Sequence, residues 1–335
     1  MTVELLRVRV AKVTREADDI NAYELVDLAG GLLPAFAAGS HIDVHVGEGL
    51  VRQYSLCNAP GERDRYVIGV LREVKSRGGS AAMFDRVRAG TTLEISPPRN
   101  LFPLVASARS HLLLAGGIGI TPMLAMVAQL EQDRADYTLH YCTRAPEKTA
   151  FRGMLSAVAQ RVRQHHDGGD PRNGLDIASL LRDHVAGTHL YYCGPPGFMA
   201  AVKAASEHWP QATTHCEYFT APRAAASPAG VSPAAAALAP LASGPAAEPA
   251  EFRVRLQKSG AEYEVPRDKS IVQVLREHGV EVETSCESGL CGTCRTRYFE
   301  GEPVHNDYVL ADDEREEFVM ICCARSSSAL LVLDR

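Results

Sequence analysis

Cys286-Glu287-Ser288-Gly289-Leu290-Cys291-Gly292-Thr293-Cys294 puts three cysteines into one short loop, C-x4-C-x2-C, and Cys322 follows 322 − 294 = 28 positions later. For four thiolates to converge on two irons, a loop of this length must wrap tightly. Gly289 and Gly292 allow close backbone approach and positive φ. Backbone N–H groups of such a loop can then donate to the sulfurs and stabilise a reduced, more negative cluster. The spacing is that of a [2Fe-2S] site. Structural zinc usually pairs two short Cys-x-x-Cys knuckles, a different arrangement. Cys322 and Cys323 are adjacent, and neighbours on an extended strand face opposite ways, so only one can reach the cluster. The apolar pair Met320-Ile321 before it favours Cys322 as the metal ligand beside Cys286, Cys291 and Cys294, leaving Cys323 as a spare thiol.

The flanking sequence agrees. Phe252 to Leu256 and Ala261 to Val265 read as a hairpin, and Ser270 to Gly279 as a helix with Ser270 as N-cap and Gly279 as terminator. The segment resembles the β-grasp, plant-type ferredoxin domain over essentially its whole length. That resemblance also places the fourth ligand at Cys322.

Charge is unevenly spread. From Glu251 to Arg335 there are 17 acidic and 11 basic residues, a balance of 11 − 17 = −6, which is the whole net charge of the chain. The preceding 250 residues carry 24 of each sign. An acidic cysteine-rich end argues against nucleic acid and for a basic protein partner docking there; a merely solvated acidic surface is the plain alternative. The nine cysteines, an odd number, do not suit a secreted disulfide framework. No apolar run approaches the roughly 18 residues of a membrane span. The start, Met1 to Val10, alternates charged and apolar residues and lacks the apolar core of a signal peptide. A cytoplasmic protein without a membrane anchor is expected.

Before the ferredoxin-like segment, residues 223–250 contain 13 Ala and 5 Pro and no aromatic residue. Prolines at irregular spacing would break a helix repeatedly, and there is too little large apolar surface for a core. A semi-stiff linker is expected, spanning about 30 Å if it were flexible. Upstream, short alternating runs such as Leu6 to Val13, His41 to Val46 and Tyr66 to Arg72 predict antiparallel β structure as far as a soft boundary near 104–110. Beyond it, strands at Leu112 to Ala115, Thr138 to Tyr141 and Leu190 to Cys193 alternate with helices expected at Pro122 to Gln132 and Gly197 to His208.

Leu112 to Pro122, LLLAGGIGITP, reads as strand, glycine turn and helix. Gly116, Gly117 and Gly119 let backbone N–H groups approach a pyrophosphate at the helix's positive end. Thr121 is placed to cap, and Pro122 suits the first turn because its missing N–H would be unpaired there. The motif departs from G-x-G-x-x-G, since Pro122 stands at the third glycine. Alone, such a turn is often only structural. Its companion is Tyr191 to Met199, YYCGPPGFM, a second strand–turn–helix with a strained corner at Cys193, Gly194 and Pro195. Together the two resemble the NAD-binding domain of the ferredoxin reductase superfamily. The resemblance puts Thr121 and Cys193 near the hydride path, although Cys193 also reads as a small buried hydrophobe.

Arg52-Gln53-Tyr54-Ser55 resembles the flavin motif of the same superfamily. Arg52 can fork onto phosphate oxygens, Tyr54 can pack along a flavin and Ser55 can hydrogen-bond its ring edge. Arg77-Gly78-Gly79-Ser80 opens a helix with backbone donors for a terminal phosphate. A bland reading makes these ordinary barrel surface and a plain turn.

The order of these parts resembles the phthalate dioxygenase reductase and vanillate demethylase reductase family nearly end to end, with Arg99 to Leu104, His208-Trp209-Pro210 and Leu331 to Asp334 also matching. The linker is longer than the family leads one to expect. The implied architecture is an FMN-binding antiparallel β-barrel over residues 1–105, a parallel-sheet α/β NAD domain over 106–222, the linker over 223–250, and an α+β β-grasp ferredoxin domain over 251–335. The resemblance implies FMN, and places Phe219 near the flavin ring; a core phenylalanine on the last strand is the alternative. It implies passage of electrons from NADH through FMN and [2Fe-2S] to a Rieske-type oxygenase that acts on a small aromatic acid or ether. Hydride carries two electrons and the cluster takes one, so a flavin is the required step-down element. No side chain need act as acid or base. NADH rests on the resemblance, because no acidic residue occupies Ala145 and Arg144 could attract a phosphate. A stand-alone NADH:acceptor reductase and an iron–sulfur redox sensor are the rival readings.

Overall fold

In the computed structural model, residues 4–47, 50–73, 78–219 and 251–335 are described. Arg77 and residues 223–250, the predicted linker, lie outside them. The chain divides into two compact units, Met1–Thr220 and Ala221–Arg335.

The first part of the first unit is an antiparallel sheet of β1 (Leu6–Ala17), β2 (Ile20–Asp27), β3 (Ser40–Gly47), β4 (Leu50–Ser55), β5 (Tyr66–Leu71), β6 (Thr92–Ile95) and β7 (Arg99–Asn100). Its order is β4-β3-β6-β1-β2-β5, with β7 on β3, and a bridge between Leu56 and Ile68 closes it into a barrel. Period-2 alternation explains it: on β1, Val8 and Val10 are buried while Arg7 and Arg9 face water. The helix α1 (Gly79–Arg86) inserts Met83, whose carbonyl accepts from the buried Tyr23 hydroxyl at 3.1 Å.

The same unit continues as a parallel sheet of β8 (Ser110–Gly116), β9 (Asp136–Thr143), β10 (Val162–His166), β11 (Thr188–Cys193) and β12 (Thr214–Glu217), in the order β10-β9-β8-β11-β12. Helix α2 (Ile120–Gln132) covers one face over Leu113, Leu139 and Tyr141. Short helices α3 (Arg152–Ser156) and α4 (Ile177–Leu180) precede α5 (Pro196–Ala205), which covers the other face over Leu114, Leu190 and Tyr192. Apolar residues on both faces are what a sheet covered on both sides requires. The chain leaves β8 toward β9 and re-enters at β11 on the opposite side, so the strand order reverses between β8 and β11. Ligands of such sheets bind at the carboxyl ends of the strands flanking that reversal.

The second unit is a mixed sheet of β13 (Phe252–Leu256), β14 (Glu262–Val265), β15 (Arg295–Glu300), β17 (Phe318–Met320) and β19 (Leu330–Leu333), in the order β14-β13-β19-β15-β17; β16 (Pro303–Val304) and β18 (Arg325–Ser326) pair separately. Only β13 and β19 run parallel in the larger sheet. Helix α6 (Ile271–Glu277) packs Ile271, Val272, Val274 and Leu275 into the core. The expected cap is present as a full capping box, with Ser270 Oγ accepting from Gln273 N–H and the Gln273 side chain accepting from Ser270 N–H. Gly279, at φ +75°, follows the helix.

Two local expectations are corrected. Thr121 does not cap α2: the helix begins at Ile120 after a 3-10 turn over Gly117–Gly119, and the Thr121 hydroxyl donates inside it to the Ile118 carbonyl at 3.0 Å. The glycines tighten the chain into helical geometry earlier than a hydroxyl cap would require. Cys322 and Cys323 also sit in a turn after β17, not on an extended strand, so strand alternation does not choose between them.

Candidate functional site

The two nucleotide motifs meet at the carboxyl ends of β8 and β11, where the strand order reverses. The contact is backbone on backbone. A Cβ on Gly119 would fall inside the Cys193 carbonyl, and one on Gly194 would lie 3.0 Å from Gly116 Cα and 2.6 Å from the Phe198 ring. A Cβ on Gly116 would meet Pro195 at 2.8 Å. Gly117 takes φ +53° at the start of the turn. Gly116, Gly117, Gly119, Cys193, Gly194 and Pro195 thus form one corner, with Pro122 buried in the first turn of α2. Arg144 is exposed just past β9, and its carbonyl accepts from Gly168 N–H at 2.9 Å.

Thr121 reaches from α2 to the barrel, where its methyl presses on Gly69 of β5; a Cβ there would lie 2.6 Å from it and 2.9 Å from the Phe151 ring. Phe151 holds φ +57°, an unusual conformation for an aromatic residue. A second contact between barrel and parallel sheet is polar: the buried Ser55 hydroxyl donates to Glu217 Oε2 at 3.1 Å. Cys193 and Glu217 are register partners on β11 and β12. Ser55, Thr121, Cys193 and Glu217 therefore all lie where the barrel adjoins the nucleotide corner.

Glu217 is a residue that the sequence does not single out. Its one signal is a carboxylate closing a strand otherwise fit for a covered sheet. Burial pushes its pKa up to about 7, partly offset by the Ser55 hydrogen bond. His41 Nδ1 lies 4.0 Å away. Burial and then the Arg99 charge lower the His41 pKa to about 4, so His41 is neutral beside Glu217 at neutral pH. Burial, reinforced by Glu217, raises the Cys193 thiol well above its usual range and keeps it protonated.

On the barrel, Arg52 lies across the start of α1. A Cβ on Gly79 would overlap its guanidinium, and Gly78 takes φ +84° as the N-cap. A cation laid over a glycine-led helix start suits a phosphate. Ser80 Oγ accepts from Glu73 N–H at 3.1 Å. The Tyr54 hydroxyl and the Gln53 side-chain nitrogen are buried with no hydrogen-bond partner among the described residues. Buried polar groups are nearly always paired, so these orphans fit a bound polar molecule such as a flavin. Phe219 is 40% exposed beyond β12, which excludes the core reading.

In the second unit, Cys286 Sγ accepts from Ser288 N–H at 3.4 Å and Leu290 N–H at 3.3 Å, and Cys291 Sγ accepts from Cys286 N–H at 3.5 Å. The Cys291 and Cys322 thiols both interact with Cys286, while Cys323 neighbours Cys322 and Cys294. Backbone donors aimed at a thiol suit a thiolate bound to iron. Gly289 takes φ +73°, and a Cβ there would lie 2.7 Å from Cys323 Sγ; Gly292 takes φ +75°, and a Cβ there would make only an ordinary contact, 3.7 Å from Val309 Cγ1.

Comparison with known proteins bears on this arrangement. Residues 254–327 match the 2Fe-2S iron-sulfur cluster binding domain, and residues 91–212 match the N-terminal domain of dimethylamine monooxygenase subunit DmmA-like proteins. The chain is 49% identical to the tert-butanol monooxygenase / tert-amyl alcohol desaturase reductase subunit of Aquincola tertiaricarbonis, covering 98% of this chain and 96% of that one. It is 43% identical to a vanillate O-demethylase oxidoreductase of a Pseudomonas strain, covering 98% and 100%. The solved structure of phthalate dioxygenase reductase aligns at a TM-score of 0.72 and 42% identity, covering 99% of this chain and 98% of that one.

The chain belongs to the phthalate dioxygenase reductase and vanillate O-demethylase oxidoreductase family. The expected modules of the family are present: the closed antiparallel barrel, the parallel sheet and the iron–sulfur domain. It is an oxidoreductase, and relatives across the family are named as reductases of oxygenase systems. No helix among the described residues is long and apolar enough to cross a membrane.

Proposed function

We propose that the protein is the reductase component of a Rieske-type oxygenase system, moving electrons from NADH through FMN and its own [2Fe-2S] cluster to a separate oxygenase. The observation that carries this reading is the nucleotide corner set against the barrel face of Arg52, Tyr54 and Ser55, in a chain that also holds the thiol cage. Flavin supplies the conversion between a two-electron hydride and single electrons that the cluster needs.

The protein's own residues orient and exclude. Arg52 with Gly78, Gly79 and Ser80 would hold the flavin phosphate. Tyr54 would line the flavin, and Ser55, held by Glu217, would offer its hydroxyl to the ring edge. Gly116, Gly117 and Gly119 give the nicotinamide nucleotide close access to the start of α2. Thr121 and Cys193, with Gly194 and Pro195, would wall the nicotinamide side, and Phe219 would lie near the flavin ring. Glu217, its pKa pushed up to about 7 by burial, accepts the Ser55 hydroxyl at Oε2 and so holds that side chain in place. Cys286, Cys291, Cys294 and Cys322 hold the cluster, with Cys323 outside it. The domains are taken as 1–105, 106–222 and 251–335, joined by 223–250.

The oxygenase docks on the acidic ferredoxin domain, where the excess of six negative charges lies. The location is cytoplasmic. NADH is preferred to NADPH, with Arg144 the residue that would weaken the preference. A small aromatic acid or ether as the oxygenase's substrate is supported by the vanillate and phthalate relatives, and a small alcohol by the tert-butanol relative.

The test is an anaerobic visible spectrum of the purified full chain before and after NADH, with the bound flavin released and identified. Flavin and iron–sulfur absorption bleaching together, with FMN released, is expected. A fully loaded, active protein holding zinc or no metal at the four cysteines would end the reading.

A further inference from the structure

Three of the residues between Cys286 and Cys294 take positive φ, and only one of them is not a glycine: Glu287, at φ +51°. A residue with a Cβ is strained there, so something must hold it. The restraint comes from α6. Arg276 Nη1 donates to Glu287 Oε1 at 2.6 Å, and Arg276 Nη2 donates to Thr284 Oγ1 and to the Val282 carbonyl. Thr284 Oγ1 in turn donates to the same Glu287 oxygen at 2.9 Å. This is a fork with a third contact behind it, more than a single exposed ion pair.

The strained turn has a product. With Glu287 left-handed, Ser288 N–H and Leu290 N–H both aim at Cys286 Sγ. The same helix also touches the far side of the cage, where Val272 N–H donates to the Ile321 carbonyl, one residue before Cys322. Val272 and Arg276 are one turn apart, about 6 Å along the axis. One rigid, capped helix therefore spans from the Cys322 turn to the Cys286 turn.

We infer that Arg276 and Glu287 are positioning residues for the cluster: they lock the left-handed turn that points two backbone donors at the Cys286 sulfur, and so set the cluster's reduction potential and retention. This rests on the [2Fe-2S] reading. Donors to a cluster sulfur stabilise the reduced, more negative state, so loosening the turn lowers the potential. A through-space field effect makes a different prediction. Removing the Arg276 charge would lower the potential, whereas removing the Glu287 charge would raise it. The lock requires both losses to lower it.

The experiment uses the full chain carrying Arg276→Leu, Arg276→Lys, Glu287→Ala, Glu287→Gln or the Leu/Ala double change. The cluster potential is followed by electron paramagnetic resonance in a dye-mediated titration, and cluster loss by the decay of iron–sulfur absorption in chelator. Arg276→Leu and Glu287→Ala should both shift the potential downward and speed cluster loss several-fold. The double change should be no worse than either single one, since both break the same unit. Arg276→Lys and Glu287→Gln should retain part of the wild-type behaviour. A raised potential in Glu287→Ala, an unchanged potential and loss rate in Arg276→Leu, or additive effects in the double change would overturn the inference. A wild-type chain without an iron–sulfur spectrum would remove the cluster reading itself, an outcome visible before any variant is made.

Discussion

Three glycines of the nucleotide corner and Gly292 of the cysteine loop are glycine for different reasons, while Gly289 of that loop is crowded as the corner is. At the corner, Gly116, Gly119 and Gly194 are needed because another piece of backbone or a ring fills the space a side chain would take. In the cysteine loop, Gly292 is needed for direction: its φ is +75°, and the nearest atom that an added methyl would meet is Val309 Cγ1, at 3.7 Å. The first demand is steric and no side-chain contact can relieve it. The second is conformational, and at Glu287 the chain meets it with a residue that has a side chain, held by Arg276. Close approach and turn direction are separable uses of the same residue.

Gly119→Ala should have the largest effect, because the new methyl would overlap the Cys193 carbonyl and drive the two turns apart. A loss of about 3 kcal/mol is expected, the upper range for overpacking a rigid site. NADH-driven reduction should fall with it, while the iron–sulfur spectrum stays intact. Denaturant unfolding followed by flavin and cluster absorption separately would check this; wild-type NADH oxidation in the variant would show that the corner has slack.

Glu217→Gln tests whether the corner is as dry as its packing implies. The folded-state pKa of Glu217 is raised from 4.5 to about 7, so the folded protein binds this proton more tightly than the unfolded chain does. Stability from this group is therefore lost as pH rises from 4.5 through 7, and the full cost, at most about 3 kcal/mol, is present above pH 7. The glutamine variant should match wild type near pH 4.5 and exceed it at about pH 8, as read from melting temperature across that range. An identical pH profile for the two proteins would mean that water reaches Glu217.

Gly292→Ala should have the smallest effect, because only backbone conformation opposes it. A cost of about 1–2 kcal/mol is expected from a non-glycine residue in the left-handed region, with Gly292→Asn costing less. Melting of the iron–sulfur absorption band would measure it. A loss as large as that of Gly119→Ala would mean that space, not direction, governs Gly292 as well.

Much of the molecule is legible from residue order. The C-x4-C-x2-C loop, the Ser270 cap and the two strand–turn–helix motifs are local patterns, and local geometry reproduces them. Two departures are also local. Thr121 has the chemistry of a cap, but the preceding glycine turn starts the helix before it. Strand alternation would give Cys322 and Cys323 opposite faces, yet the strand ends at Met320. Glu217 is a third departure, and its cause is distant. A carboxylate at the end of a strand looks solvated until the barrel's Ser55 is found against it, 162 residues away in the chain.

Module order, the cysteine spacing and the glycines of the turns are written in residue order, since spacing and backbone freedom are properties of short segments. That Glu217 is largely shielded from water, that Gly69 meets Thr121 and Phe151, and that Arg276 holds Glu287 follow from the assembled fold. Desolvation, close approach and ion pairing depend on which distant segments meet, and no short stretch of residues records that.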